Sequence, residues 1–285
     1  MQKEFNGLPE GHEKWLLDLV AMGTVCDIVT LVGENRANVY WGLEVLKHQR
    51  RTGLRALMAV SGVDKNTLSS RSLGFALGPR MNAAGRLETA QHALDMLVAT
   101  DPQTALKRAN YLDELNVRRK DLQQAIFEEA CIQAENAKSD DVLVVSGKDW
   151  NHGVIGIVAA KLLEKYKKPT YVFEEQKNGE AKGSARSFGG FSAADAIRFA
   201  DDVIIKGGGH AAAAGVTLSN KNIAKFREKV NAYYSSLQLK NQLAHLLPKA
   251  DVTIGSLLEV NEDLVNRLAG LEPFGNANPE PILQL

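Results

Sequence analysis

"KGGGHAAAAG", residues Lys206 to Gly215, governs how the second half of this 285-residue chain is read. Three glycines run into a histidine, followed by four alanines and a glycine. Successive glycines let backbone N–H groups point the same way and let a ligand approach the main chain. A histidine at the end adds a donor or a cation able to meet a phosphate. The alternative is a strand-end turn packed tightly against an alanine-rich strand. DDVIIKGGGH reads as a strand followed by a loop, and AAAAGVTL runs into the next strand.

The same alternation extends outward. DVLVVSG (Asp141–Gly147) has a buried-strand pattern, KDWNHG is a loop, and Val154–Tyr166 is a helix. PTYVFEE and KGSARSF are further strands, Ser192 opens a capped helix, and Asn220–Leu237 closes the domain. Together these predict an α/β domain with a mixed sheet. Upstream the pattern is helical: Glu10–Met22, a break at GTVCDIVTLVG, Asn35–Gln49 and Leu54–Val63. Asp101-Pro102 is a helix start, with Asp as N-cap and Pro in the first turn. No breaker follows until about Ala137, giving a helix of ~35 residues and ~50 Å at 1.5 Å per residue. That length suits a helix joining two domains.

Composition limits the function classes. Hydrophobic residues at 45% and charged residues at 24% describe an ordinary soluble globular chain. Zero formal net charge gives no bulk argument for nucleic acid, although a local basic groove is compatible with it. Cys26 and Cys131 match no zinc or redox spacing and read as reduced thiols of a cytoplasmic protein. No apolar run reaches membrane-spanning length, and the N-terminus has no signal-peptide core.

Four further stretches carry candidate chemistry. Ser184 and Arg186 in GSARSF are two apart, so on a strand they share a face and make a phosphate clamp. The alternative is an exposed edge arginine. Arg80, Asn82 and Arg86 in GPRMNAAGR suit a polyanion, or else a solvated helix face. Asp27 in TVCDIV, set among apolar neighbours, needs a partner if buried: a local cap or a metal. Trp150, Asn151 and His152 precede a helix N-terminus, which favours an anion, or else they form a cap with a packed tryptophan.

In order, GTVCDIVTL, GPRMNAAGRL, WNHGVIGIVAAKL, GSARSF, KGGGHAAAAG and LEPFGNANPEP resemble the RecJ-type exonucleases of the DHH phosphoesterase superfamily over nearly the whole chain. The resemblance implies the helical remainder of a DHH domain (1–100), a connecting helix (101–137), a DHH-associated α/β domain (138–237), and a linker with the start of an OB-fold (238–285). It implies removal of nucleotides from the 5′ end of single-stranded DNA, in DNA repair and recombination, with two Mn²⁺ or Mg²⁺ ions. It further implies Asp27 as a metal ligand and Ser184 with Arg186 on the 5′ phosphate. Arg80 or Arg86 would reach the scissile phosphate, and His210 would act as the signature histidine. Gly207, Gly208, Gly209, Asn82, Asn151 and His152 would contact the strand. The family pattern places Trp-His-x-Gly before the VIGIVA helix; here Asn151 follows Trp150 and His152 comes one later. No Asp-His-His and no Asp-x-Asp occurs. The expectation is therefore a piece of such a protein that is catalytically incomplete and needs a complementary N-terminal DHH fragment. A binding module for single-stranded nucleic acid or 5′ phosphate is one alternative. An oligoribonuclease or cyclic-dinucleotide phosphodiesterase relative is another.

Overall fold

The computed structural model describes residues 9–240 and 242–285. The first eight residues of the expected 1–100 domain, and Asn241 of the expected linker, lie outside the described residues. The chain divides into two compact units, residues 1–116 with 248–285 and residues 117–247.

The first unit is helical. A 3-10 turn, His12–Leu16, leads into α1 (Leu17–Cys26), followed by α2 (Gly33–Lys47) and α3 (Thr52–Ser61). Helix α1 passes through Gly23, where the sequence suggests a break. Gly23 is exposed, so its missing side chain costs helix propensity but no packing. SLGFALGPRMNAAGRL forms one continuous helical run. It consists of α4 (Ser70–Ser72), a π-helical segment (Leu73–Leu77) and α5 (Gly78–Leu87). Helix α6 (Gln91–Leu97), short and without a side-chain cap, has no counterpart in the sequence reading. Ala21, Val39, Leu43, Leu57, Leu73, Leu77 and Met96 form the buried core. Within it Asp18 is buried and paired with Arg51 through two oxygens, at 3.0 and 3.2 Å. A buried carboxylate needs such a partner.

Helix α7 spans Pro102–Asn136, and the Asp101 carboxylate accepts the Thr104 N–H at 2.7 Å, as an N-cap should. The boundary between the two units falls inside this helix, after Asn116. No helix among the described residues is long and apolar enough to cross a membrane.

The second unit is built on a five-stranded sheet. Its elements are β1 (Leu143–Lys148), α8 (His152–Tyr166), β2 (Thr170–Glu175), β3 (Glu180–Arg186), α9 (Ala193–Phe199), β4 (Ile204–Gly209), β5 (Ala213–Ser219) and α10 (Ile223–Ser236). The strand order is β1-β2-β3-β5-β4. The β1–β2 pair is parallel and the rest are antiparallel, so the sheet is mixed. One face packs around Tyr171, Phe173, Phe191, Ile197 and Phe226, and the other buries Val145 and Val172, with Ile155, Val158 and Leu162 of α8 buried as well. Ser192 caps α9 by accepting the Asp195 N–H at 3.2 Å.

In the tail, the two-residue strands β6 (Val252–Thr253) and β7 (Leu283–Gln284) pair in parallel, and α11 spans Glu262–Ala269. The tail is fastened to the rest of the first unit. Arg36 donates to the Leu271 and Glu272 carbonyls at 2.9 and 3.0 Å. Ser70 donates to the Phe274 carbonyl at 2.6 Å, and the Leu31 N–H to that of Asn276 at 2.7 Å.

Helices α1 and α2 touch at Gly42, where a Cβ would overlap the Leu17 carbonyl oxygen. Gly42→Ala should lower the unfolding free energy by roughly 1–3 kcal/mol. The readout is a reduced urea midpoint at unchanged slope; an unmoved midpoint would contradict this contact.

Candidate functional site

Strand β3 supplies the first element of the site. Its residues alternate between buried and partly exposed, and Lys182, Ser184 and Arg186 share the partly exposed face. Arg186 Nη1 lies 3.3 Å from Ser184 Oγ and 2.8 Å from the Ala185 carbonyl, so the two side chains stand together as the two-residue spacing predicts, in the arrangement a phosphate clamp would need. Helix α8 lies over this pair. A Cβ at Gly156 would sit 2.9 Å from Ser184 Oγ and 3.2 Å from Arg186 Nη2. A larger residue there would displace the clamp.

The glycine run supplies the second element, and here the sequence reading needs correction. Gly207, Gly208 and Gly209 are not in a loop. They form the end of the edge strand β4 and pair with Val216, Gly215 and Ala214. The reason is the hairpin: strand β5 folds straight back and supplies pairing partners that the glycine pattern by itself does not reveal. His210 sits exposed at the hairpin tip, its N–H donating to the Ala213 carbonyl at 2.8 Å.

The glycines differ in what requires them. At Gly207 a Cβ would come within 2.6 Å of Ile197 Cγ2, and at Gly209 φ is 145° with Ala213 O at 2.6 Å. Packing and backbone explain both. A Cβ at Gly208 would meet nothing within 4 Å, and one at Gly215 only the Gly183 carbonyl oxygen at 3.9 Å. Neither has a positive φ. These two are directly opposite one another, and Gly215 is opposite Ser184. The result is an open floor without side chains beside the clamp, left vacant for no internal reason.

A cavity of about 450 Å³ is lined by His152, Lys182, Gly183, Lys206, Gly207, Gly215, Val216 and Thr217. It brings His152 to the glycine run. It also reveals Lys182 and Lys206, which the sequence reading passed over. They lie on either side of Thr217 in register, so only the strand pairing places them together.

Asn151 and Trp150 follow the structural alternative. Asn151 caps α8 by accepting the Gly153 N–H at 2.9 Å. Trp150 is 3% exposed, donates Nε1–H to Glu129 at 2.9 Å and packs over Gly147.

In the first unit, Asp27 is not buried. It is the exposed C-cap of α1, because the chain turns away there through Ile28 at φ 56°. Its apolar neighbours Ile28 and Val29 are exposed as well. A carboxylate at a helix C-terminus gains nothing from the helix dipole, so this is no stabilising cap. Burial, then the Asp27 charge, pushes the neighbouring Cys26 thiol up to about 11. Among the described residues no three His, Cys, Asp or Glu side chains are arranged to hold a metal. The residues present therefore do not make a two-metal centre, which needs several hard ligands for each ion.

Arg80 is largely engaged: its side chain is 16% exposed, bonded to Asp113 at 2.7 Å and to the Ala76 carbonyl at 2.8 Å. Asn82 and Arg86 are both exposed and four residues apart on α5, hence on one face. Asn82 also lines a cavity of about 660 Å³ with Cys26, Ile28, Val29, Arg71, Phe75 and tail residues including Phe274 and Asn276.

Comparison with known proteins agrees with this architecture. Residues 139–236 match the DHHA1 domain. The chain is 35% identical over 274 residues to the single-stranded-DNA-specific exonuclease RecJ of Bacillus subtilis, covering 93% of this chain and 34% of that protein. It is 34% identical over 279 residues to RecJ of Escherichia coli, covering 94% and 48%. RecJ from Thermus thermophilus, solved in complex with Mn²⁺, superposes with a TM-score of 0.85 at 32% identity, covering 96% of this chain and 40% of that one. The chain thus spans about half or less of the length of these relatives.

If the floor is kept for a ligand, Gly208→Ala and Gly215→Ala should leave thermal stability unchanged or slightly raised, since glycine is unfavourable in a strand. Both should weaken binding of a 5′-phosphorylated oligonucleotide. Gly207→Ala should instead lower the melting temperature. A loss of stability at Gly208 or Gly215 equal to that at Gly207 would assign all three to packing.

Proposed function

Because the chain belongs to the RecJ family, we propose that it is the strand-holding portion of an exonuclease that degrades single-stranded DNA from a 5′ end, serving DNA repair and recombination in the cytoplasm. The observation that carries this reading is the Ser184–Arg186 clamp beside the open floor of Gly208 and Gly215. A guanidinium with a neighbouring hydroxyl suits a terminal phosphate, which offers several acceptor oxygens. The bare floor admits the sugar and backbone that follow. Gly207 to Gly209 and His210 at the hairpin tip guide that strand, and His152 adds a donor at the groove. Arg80 or Arg86 would reach the scissile phosphate, with Asn82 on the same exposed face of α5 as Arg86. Arg80, on the same helix, is tied to Asp113.

Asp27 would supply one ligand of the Mn²⁺ or Mg²⁺ centre that this chemistry uses. Its exposed position next to exposed Ile28 and Val29 suits a surface that another polypeptide segment closes. That segment, a complementary DHH portion, would bring the remaining ligands. In this division residues 1–100 belong to the DHH domain, 101–137 connect, 138–237 hold the strand end, and 238–285 lead toward an OB-fold.

The chain alone should therefore leave single-stranded DNA intact in Mn²⁺ while still binding it, with log K falling by ~0.7 per phosphate contacted for each decade of salt. Arg186→Ala should weaken 5′-phosphorylated ends more than 5′-hydroxyl ends in a fluorescence-anisotropy titration. Equal weakening of both would remove the clamp assignment. Digestion by the chain alone, abolished in Asp27→Ala, would overturn the incapacity.

A further inference from the structure

We infer a second phosphate seat, formed by Lys182 and Lys206 with His152, which takes the phosphodiester following the 5′-terminal phosphate of a single strand. This inference rests on the clamp reading above. Three observations carry it.

The first is register. Ser184, Gly215 and Gly208 form one row across β3, β5 and β4, and Lys182, Thr217 and Lys206 form the row two residues along. Residues directly opposite each other in a sheet point to the same face. Both lysines therefore lie on the face that carries Ser184 and Arg186. The two rows are about 6.6–6.8 Å apart along the strands. One nucleotide of an extended strand bridges such a step, so a phosphate held in the first row places its neighbour near the second.

The second is shape. The cavity of about 450 Å³ is bounded by Lys182, Lys206, His152 and Thr217, and its floor includes Gly207 and Gly215.

The third is charge. Lys182 and Lys206 belong to none of the ion pairs found among the described residues, whereas Lys225 and Lys229 on nearby α10 both meet Asp202. No carboxylate lines the groove itself; Glu174 stands opposite Lys182 in register on β2, but Lys182 and Glu174 are not among the ion pairs of the described residues. Two ammonium groups on one concavity whose lining holds no carboxylate favour an anion between them, and a phosphodiester supplies that anion. His152 adds a ring nitrogen at the same wall, so the seat does not depend on the lysines' reach alone.

The seat gives the groove a minimum ligand: two consecutive phosphates rather than one. The experiment compares thymidine 5′-monophosphate, the 5′-phosphorylated dinucleotide pTpT and the 5′-hydroxyl dinucleotide TpT, by calorimetric titration of the full chain. For the unmodified chain pTpT should bind on the order of tenfold more tightly than the mononucleotide, the scale of one charge-assisted contact. In Lys182→Ala/Lys206→Ala that ratio should fall toward one, and the salt slope for pTpT should drop by ~0.7. Lys182→Gln/Lys206→Gln, which keeps the stems, should do the same and so separates charge from packing. A ratio retained in both double variants overturns the seat. So does an unmodified chain that prefers pTpT over TpT yet gains nothing over the mononucleotide. An unmodified chain that binds pTpT and TpT equally overturns the clamp on which the seat rests.

Discussion

The second unit depends on one constraint: strand β3 can face the core only with small residues. Ala181, Gly183 and Ala185 point toward Tyr171, Phe173 and Phe226, whose rings pack edge-on at 5.1–5.6 Å. At Gly183 even a Cβ would come within 2.5 Å of Phe173. Because side chains alternate with a period of two, fixing these three inward fixes Lys182, Ser184 and Arg186 outward. A slip of one residue would bury two cations and a hydroxyl, which the core could not tolerate. The aromatic cluster therefore sets the register of the clamp. It does so from the far side of the sheet, without touching the clamp.

The two edges of the sheet are treated differently, and this bears on where a ligand can lie. Strand β1 is one edge, and side-chain amides cover it. Gln133 bonds both the N–H and the carbonyl of Ser146, at 3.1 and 2.7 Å. Asn231 accepts from the Asp141 and Val142 N–H groups and donates to the Val142 carbonyl. These contacts occupy main-chain groups that would otherwise invite another strand. At the other edge β4 is exposed along nearly its whole length and carries the glycines. The sheet is closed along β1 and open along β4, where Gly208 lies in the row of Ser184.

Much of this was legible in the sequence, for local reasons. Asp101-Pro102 fixed the start of α7 because a cap and a proline act within one turn. Ser192 did the same for α9, and a two-residue spacing was enough to pair Ser184 with Arg186. The misreadings arise where the letters do not show how the chain turns or which strand pairs with which. Asp27 sits among apolar letters, yet a single turn at Ile28 leaves both it and those neighbours in solvent. The glycine run reads as a loop until β5 is placed beside it. Lys182 and Lys206 are separated by more than twenty residues, and only Thr217 in register between them makes them a pair. The tail gave no sign that Arg36, Ser70 and Leu31 would hold it. Each of those bonds joins main chain to a group more than two hundred residues away.

The same distinction helps to separate function from structure within KGGGHAAAAG. A glycine that a neighbour or a positive φ requires is explained by the fold, and Gly207 and Gly209 are of this kind. A strand glycine with empty space above it and an ordinary φ lowers stability without return inside the molecule. An unpaired lysine facing another across a concavity does so too. Sequences that fold well have local choices that agree with the global structure, so departures from that agreement are informative. Here Gly208, Gly215, Lys182 and Lys206 depart together, in adjacent rows of one sheet face, beside the adjoining Ser184 and Arg186. Separate accidents of packing would have no reason to share a face. The proposed anionic ligand would give them one.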